Sequence, residues 1–413
     1  MISFHQALKT ITSTIEPVET ESCPLRSLHG RVLAHDVAAP IDVPPFDNSG
    51  MDGYAIRSAD TAGARPDRSV SLEVAAEIAA GESTSESLQK GSAFRILTGA
   101  PVPPGADAVV EQERVELANG AILIREPILA GRHIRAKGED ITSGTRVLQR
   151  GSILDAARVG VVASLGISEL GVFKIPRISI LSTGNELVDA GMALKNGQIH
   201  DSNSFTLQGL VRETGCDAVM IGPASDFLED LKKRIETGLT SDALITAGGV
   251  SVGTKDLVIQ ALRDLHVEIL FWKVNIKPGM PFAFGFYRPS STSRGVPVFA
   301  LPGNPVSAMV TFLQLVRPAL RSLMGVVGGV GATRLMAKLE HDYGKKDGKV
   351  HFARGIVRNE NGRLVVRTTG TQSSGVLTSL SSGNCLIVIP ESEELLKAGS
   401  EVEVQLTREV DSA

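Results

Sequence analysis

Three glycine loops, each directly behind an apolar run, constrain this chain more than any other feature. Residues 178–181 lead into Ser182-Thr183-Gly184-Asn185-Glu186-Leu187, and residues 242–246 lead into Ala247-Gly248-Gly249-Val250-Ser251-Val252-Gly253. The run VPVFA leads into Leu301-Pro302-Gly303-Asn304-Pro305. Helical patterns occupy residues 203–213 and 227–238, and another opens at Thr254-Lys255-Asp256. This alternation predicts an α/β domain with a mainly parallel sheet covered by helices on both faces. Ligands of such sheets sit beyond the carboxyl ends of the strands. The three loops are therefore expected to line one edge, with Asp226 following a fourth strand.

Within that edge, the stretch from Thr246 to Lys277 has the order strand, glycine turn, helix start. Backbone N–H groups and the positive end of a helix make such a turn an anion cradle, and glycine admits close approach. Gly248, Gly249, Ser251 and Gly253 are its candidates. A tight turn of no further consequence is the competing reading. Lys273 and Lys277 follow in extended-looking sequence, where a spacing of four leaves both on one face. Asp226 reads as the cap of the helix at 227–238, and Asn304 as an N-cap with Pro305 at the first helical position.

The remaining segments are of other kinds. Phe4, Leu8, Ile11 and Ile15 recur at helical spacing, so the chain opens with an amphipathic helix. PIDVPPFDNSGMDGYAI, at 40–56, carries three prolines and two glycines and reads as irregular. Phe46, Met51 and Tyr54 are expected to pin it down. Asp42 and Asp47 read as turn or capping residues, and Asp52 stands out as the candidate carboxylate. Residues 70–123 alternate as β structure, with Thr98 either a turn residue or a ligand-facing hydroxyl. Arg135, Lys137, Glu139 and Asp140 cluster around Gly138, as a solvated face or as the rim of a cleft. Residues 334–409 read as a small separate β domain, with Arg354 at a strand end and Ser373 and Ser374 in a turn.

Composition excludes more than it selects. A net charge of −4 and 4% aromatic residues argue against nucleic-acid binding. Three distant cysteines, Cys23, Cys216 and Cys385, give neither a disulfide framework nor a zinc spacing. No run approaches the roughly 20 apolar residues of a spanning helix, and MISFHQALKTI is not a secretory signal. A soluble cytoplasmic protein without a membrane partner is expected. An anion cradle, scattered carboxylates and two lysines suggest a phosphate-bearing substrate and Mg²⁺, which takes oxygen ligands.

In PIDVPPFDNSGMDGYA, ILTGAPVPPGADAVV, KGEDI, STGNEL, AGGVSVG, FWKVNIKPGMPFAFG and LPGNPVSA the sequence resembles the molybdopterin molybdenumtransferase (MoeA) family, itself similar to the C-terminal region of gephyrin. The resemblance implies the reaction of adenylylated molybdopterin with molybdate to give molybdenum cofactor, AMP and water, with Mg²⁺. It also implies an elongated homodimer, with the pterin adenylyltransferase as a candidate partner. Four domains follow from it: a linking domain at 20–38 and 145–171, a β-rich insert at 39–144, a molybdopterin-binding α/β domain at 1–19 and 172–327, and a C-terminal β domain at 328–413. Each cleft is expected to lie between the α/β domain of one subunit and the β-rich insert of the other.

Carried over position by position, Asp52, Asp140, Glu186 and Asp256 become the catalytic carboxylates, with Asp52, Glu186 and Asp256 as metal ligands. Thr98, Asp226, Gly248, Gly249, Ser251, Gly253, Lys273, Lys277, Pro302, Gly303, Asn304, Arg354 and Ser374 become substrate-binding positions. Three departures from the family pattern are visible: Asn185 where Asp is frequent, Ala136 where Arg is common, and Thr254-Lys255 where a more acidic pair occurs. A pterin adenylyltransferase and a non-catalytic, gephyrin-like scaffold are the competing readings.

Overall fold

The computed structural model describes residues 1–250, 256–290, 294–328 and 331–412. Its central element is a six-stranded sheet in the order Asp217–Met220, Arg177–Ser182, Ala243–Ala247, Val296–Leu301, Ala283–Tyr287, Glu268–Trp272. The first four strands are parallel, and Ala283–Tyr287 pairs antiparallel with both its neighbours. Period-2 geometry sends alternate residues to opposite faces. Ile178, Ile180, Ala243, Ile245, Phe299 and Leu301 pack under the helices Phe4–Thr14 and Asn203–Thr214. Leu181, Leu244, Val298 and Ala300 pack under Leu228–Gly238 and Leu257–Asp264. Both faces are buried, which is why these strands read as unbroken apolar runs. The N-terminal helix is capped by a Ser3–Gln6 capping box. Burial of Phe4 and Ile11, roughly 1.5–3 kcal/mol for each such side chain, fastens it more firmly than the cap.

The β-rich region is a second six-stranded sheet, ordered Ala108–Glu111, Gly53–Ile56, Ser92–Ile96, Val70–Ile78, Ala121–Ile124, Glu116–Ala118. Here the expectation of irregular chain through residue 56 is corrected. GYAI is an interior strand, with Tyr54 and Ile56 buried on one face and Ala55 on the other. Four residues beside three prolines are too short to show their periodicity. Of the three expected pins, Tyr54 is buried, whereas Phe46 and Met51 are exposed. The loop is instead laced by polar contacts: Ser143 N–H donates to Asp42 Oδ1 and Lys137 N–H to Asp47 Oδ1, both at 2.7 Å. Asp42 and Asp47 thus hold the loop, but across more than 80 residues of chain rather than in local turns.

Strands Thr20–Pro24 and Glu169–Phe173 pair antiparallel and join this region to the central one. The C-terminal strands Val350–Glu360, Arg363–Thr368, Arg334–Leu339, Glu401–Leu406 and Cys385–Ile389 pair in that order, and the last returns to the first, closing a barrel. The barrel is the expected C-terminal β domain, with its own core, and it is also docked on the central region. Ala353 and Val357 face the barrel interior, but Val350 and Phe352 point the other way, into the central core. The Phe352 ring meets Phe4 edge-on at 5.2 Å, and Ile276–Lys277 pairs in parallel with Val350–His351.

Candidate functional site

The three strand-end loops converge. A cavity of about 510 Å³ is lined by Thr183, Glu186, His200–Asn203, Gly248–Val250 and Pro302–Pro305, among others. Gly248 explains how the loops come so close. Its φ is +103°, and a Cβ there would lie 2.5 Å from Thr183 O. A Cβ on Gly303 would lie 3.4 Å from Gly248 Cα. Two helix starts face the cavity, at Ser202-Asn203 and at Asn304-Pro305. The anion-attracting ends are therefore not only the one after the glycine loop. Ser251, Gly253, Thr254 and Lys255 lie outside the described residues, and Asp256 begins the helix Leu257–Asp264 as its N-cap residue.

Asp201, not singled out from the sequence, lines this cavity. It is 5% exposed and accepts from Ser204 N–H at 3.1 Å, from Ser204 Oγ at 2.6 Å and from the Ser182 hydroxyl. Those bonds hold the end of one strand to the start of the next helix. Beside it, Asn203 Nδ2 donates to Gly303 O at 2.7 Å and ties two of the loops together. The available signal was Asp201-Ser202-Asn203-Ser204, four capping-type residues where one cap suffices.

Other expectations meet different fates. Asp226 does not cap the following helix. Its N–H donates to Asn185 Oδ1 at 2.9 Å and its Oδ2 accepts from Asn185 N–H at 3.3 Å. Asp230 instead accepts from Ser225 N–H and Oγ. The acceptor contact made by Asn185 is one that an Asp could also make. Asn304 is the N-cap by backbone, but its side chain donates to Ser374 Oγ at 3.0 Å, bringing the barrel's turn onto the cavity rim.

Arg354 lies within strand Val350–Glu360, not at its end, and is 1% exposed. Its guanidinium donates to Ser379 Oγ and to the carbonyls of Thr371 and Ser373, so it shapes the turn that carries Ser374. Burial holds its pKa below the ordinary arginine value. The lysine pair does not share one extended face. Lys273 has φ +74° and stacks its ammonium 4.8 Å from the Trp272 ring centroid. Lys277, within the loop that Val274 N–H closes on Met280 O, reaches to 3.6 Å from Asp347.

Asp52 and Thr98 do meet. Asp52 Oδ1 accepts from both Thr98 Oγ1 and Thr98 N–H at 2.7 Å. These bonds, the hydroxyl first, hold its pKa below the usual carboxylate range. Asp140 is exposed on the loop laced to the same segment, with its N–H on Val43 O. None of the three lines the cavity. Among the described residues, no three His, Cys, Asp or Glu side chains gather to hold a metal. The expected set of Asp52, Glu186 and Asp256 is therefore not gathered as one metal cluster within one chain. Cys216 and Cys385 are buried, and burial pushes both thiols up to about 12, so neither is poised as a nucleophile. Among the described residues no helix is long and apolar enough to cross a membrane.

Three family models match in succession: "MoeA N-terminal region (domain I and II)" over residues 2–166, "Probable molybdopterin binding domain" over 179–322, and "MoeA C-terminal region (domain IV)" over 336–407. Molybdopterin molybdenumtransferase 2 of Mycobacterium tuberculosis is 37% identical over 410 residues, covering 98% of this chain and 99% of its own. Molybdopterin molybdenumtransferase of Haemophilus influenzae is 36% identical over 409 residues, 98% of each. The crystal structure of a molybdopterin biosynthesis MoeA protein from Pyrococcus horikoshii OT3 superposes with a TM-score of 0.84 at 32% identity, over 98% of this chain and 100% of that one.

Proposed function

Because the chain belongs to the molybdopterin molybdenumtransferase (MoeA) family of molybdenum cofactor biosynthesis, we propose that its central cavity binds adenylylated molybdopterin while molybdate is delivered to it, releasing AMP. The observation that carries this reading is the convergence of Glu186, Gly248–Val250 and Pro302–Asn304 on one cavity flanked by two helix starts. Helix starts favour phosphate through N–H groups and the macrodipole, and the glycines let the substrate approach the backbone. Asp201 and Asn203 hold those loops at fixed spacing. Lys273 and Lys277 neutralise oxyanion charge. Ser374 is set in place by Arg354 and Asn304.

Asp52, Thr98 and Asp140 complete the site from a second copy in a homodimer. Phe46 and Met51, exposed on the Asp52 loop, are apolar surface that such a copy would cover. The residues fit Mg²⁺, which needs only one or two carboxylates when phosphate oxygens and water fill the rest. Glu186 lines the cavity and its carboxylate makes no hydrogen bond among the described residues, whereas Asp201 is committed to two serines. Glu186 and the second copy's Asp52 would hold the ion. Bound there, it would draw charge from the phosphoanhydride oxygens. The test is AMP release from adenylylated molybdopterin by the purified protein. Release that depends on molybdate supports the reading. Release indifferent to molybdate, or consumption of ATP with unadenylylated pterin, contradicts it.

A further inference from the structure

A second cavity, of about 650 Å³, opens where the barrel meets the central region, and Lys277, Tyr343, Lys345, Asp347, His351 and Ser373 are among its lining residues. A chain of polar contacts runs along its wall. Lys277 Nζ stands 3.6 Å from Asp347 Oδ2. Asp347 Oδ1 is 2.8 Å from His351 Nε2, and His351 Nδ1 is 3.0 Å from the Tyr343 hydroxyl. His351 is 3% exposed, and burial holds its pKa below the ordinary histidine value. A neutral ring carries one N–H. The carboxylate can only accept, so Nε2–H donates to Asp347, and the Tyr343 O–H donates to Nδ1. Lys277 and His351 are register partners on adjacent strands, which fixes their backbones side by side. Lys345 is occupied by the carbonyls of Lys349 and Glu391 at 2.7 and 3.1 Å. Asp347 is the one carboxylate among the described residues lining this cavity.

We propose that Asp347, anchored by His351 and Tyr343, is a fixed counter-ion with which an incoming oxyanion must compete for Lys277, and that it thereby tunes the affinity for molybdate as a positioning residue. The inference rests on the reading of Lys277 as an oxyanion-binding residue. One ammonium serves either the fixed monovalent carboxylate or the divalent tetrahedral guest. A carboxylate tethered to a buried imidazole cannot swing away to make room. An ammonium–carboxylate pair this exposed is a weak one, so the competition is modest.

The test uses full-length Asp347→Asn, Asp347→Glu and Lys277→Ala, with molybdate binding read by calorimetry and molybdate KM by AMP release. Asp347→Asn, which can still accept from His351, lowers molybdate Kd and KM about threefold and leaves the Kd for adenylylated pterin unmoved. Asp347→Glu restores the charge and brings molybdate affinity back toward the parent. In a Lys277→Ala background, Asp347→Asn gives no further gain. Should Asp347→Asn fail to fold, Asp347→Ser removes the same charge. An unchanged or higher molybdate Kd in the neutral variant, where Lys277→Ala weakens binding, overturns the counter-ion and leaves the role of Lys277 standing. Parent-like molybdate binding by Lys277→Ala overturns that role, and the counter-ion with it.

Discussion

Around Glu186 the chain walls a cavity with backbone turns, helix starts and a buried aspartate; around Asp52 it displays side chains on an open loop. In the first region the contacts run between loops that follow three different strands, and Asp201 and Asn203 lock them together. In the second, Asp52 and Thr98 are bonded to one another and exposed to solvent. A binding cavity can be finished within one chain. An oriented carboxylate such as Asp52 on an open loop stays uncovered within one chain. The difference teaches that a walled cavity and an open, side-chain-bearing loop are built by separate parts of the fold.

The comparison can be sharpened by substitution. Glu186→Gln keeps the cavity's shape and removes its charge, so cofactor formation should fall by about 100-fold or more, with pterin affinity changed little. Unimpaired cofactor formation would remove Glu186 from the site. Gly248→Ala should cost roughly 3 kcal/mol or more, because a left-handed φ combines with a backbone clash. Gly99→Ala, beside Thr98, has φ +85° and nothing within 4 Å of the added carbon. It should cost about 1 kcal/mol. Equal losses in denaturant titration would break the contrast between walled and open regions.

Asp201→Ala leaves the Ser204 N–H and one of two mutually bonded serine hydroxyls without an acceptor and should cost about 1–3 kcal/mol. Asp52→Ala, at the surface, should stay within about 0.5 kcal/mol while still lowering cofactor formation. The smallest effect concerns acid. Burial would raise Glu111, but its own backbone N–H, Arg132 and His133 outweigh this and bring it to about 2, from an ordinary 4.5. A depressed carboxylate contributes stability above its unfolded pKa and loses it as pH falls through the folded value. The parent should therefore melt lower at pH 3 than at pH 6, and Glu111→Gln should narrow that gap.

Much of the central region was legible in the sequence. Ala243–Ala247 and Val296–Leu301 are buried on both faces, so they read as plain apolar runs, and glycines marked their ends. The loops' meeting point followed from the rule for parallel sheets. Other features depended on contacts between distant segments. GYAI is a strand because its two neighbours lie about 40 and 55 residues away in sequence. Arg354 read as a strand-end residue and instead lies within its strand, donating to carbonyls 17 and 19 residues further on. The one-face reading of Lys273 and Lys277 assumed extended backbone, which the left-handed φ at Lys273 denies. Asp226 looked like a cap because a helix follows it, yet Asn185 is its partner. Asp52 stood out in its own loop, whereas Thr98 and Asp140 had open alternatives that only the resemblance to a family narrowed.

The proposal that two copies share each site can be tested by mixing subunits. Glu186→Gln and Asp52→Asn proteins, each inactive alone, are unfolded together, refolded as mixed dimers and assayed for molybdate-dependent AMP release. If Glu186 of one copy works with Asp52 of the other, a mixed dimer contains one intact site, and activity returns toward half that of the parent per mixed dimer. Mixed dimers that form but remain as inactive as either variant would show that both carboxylates serve the same site from one chain.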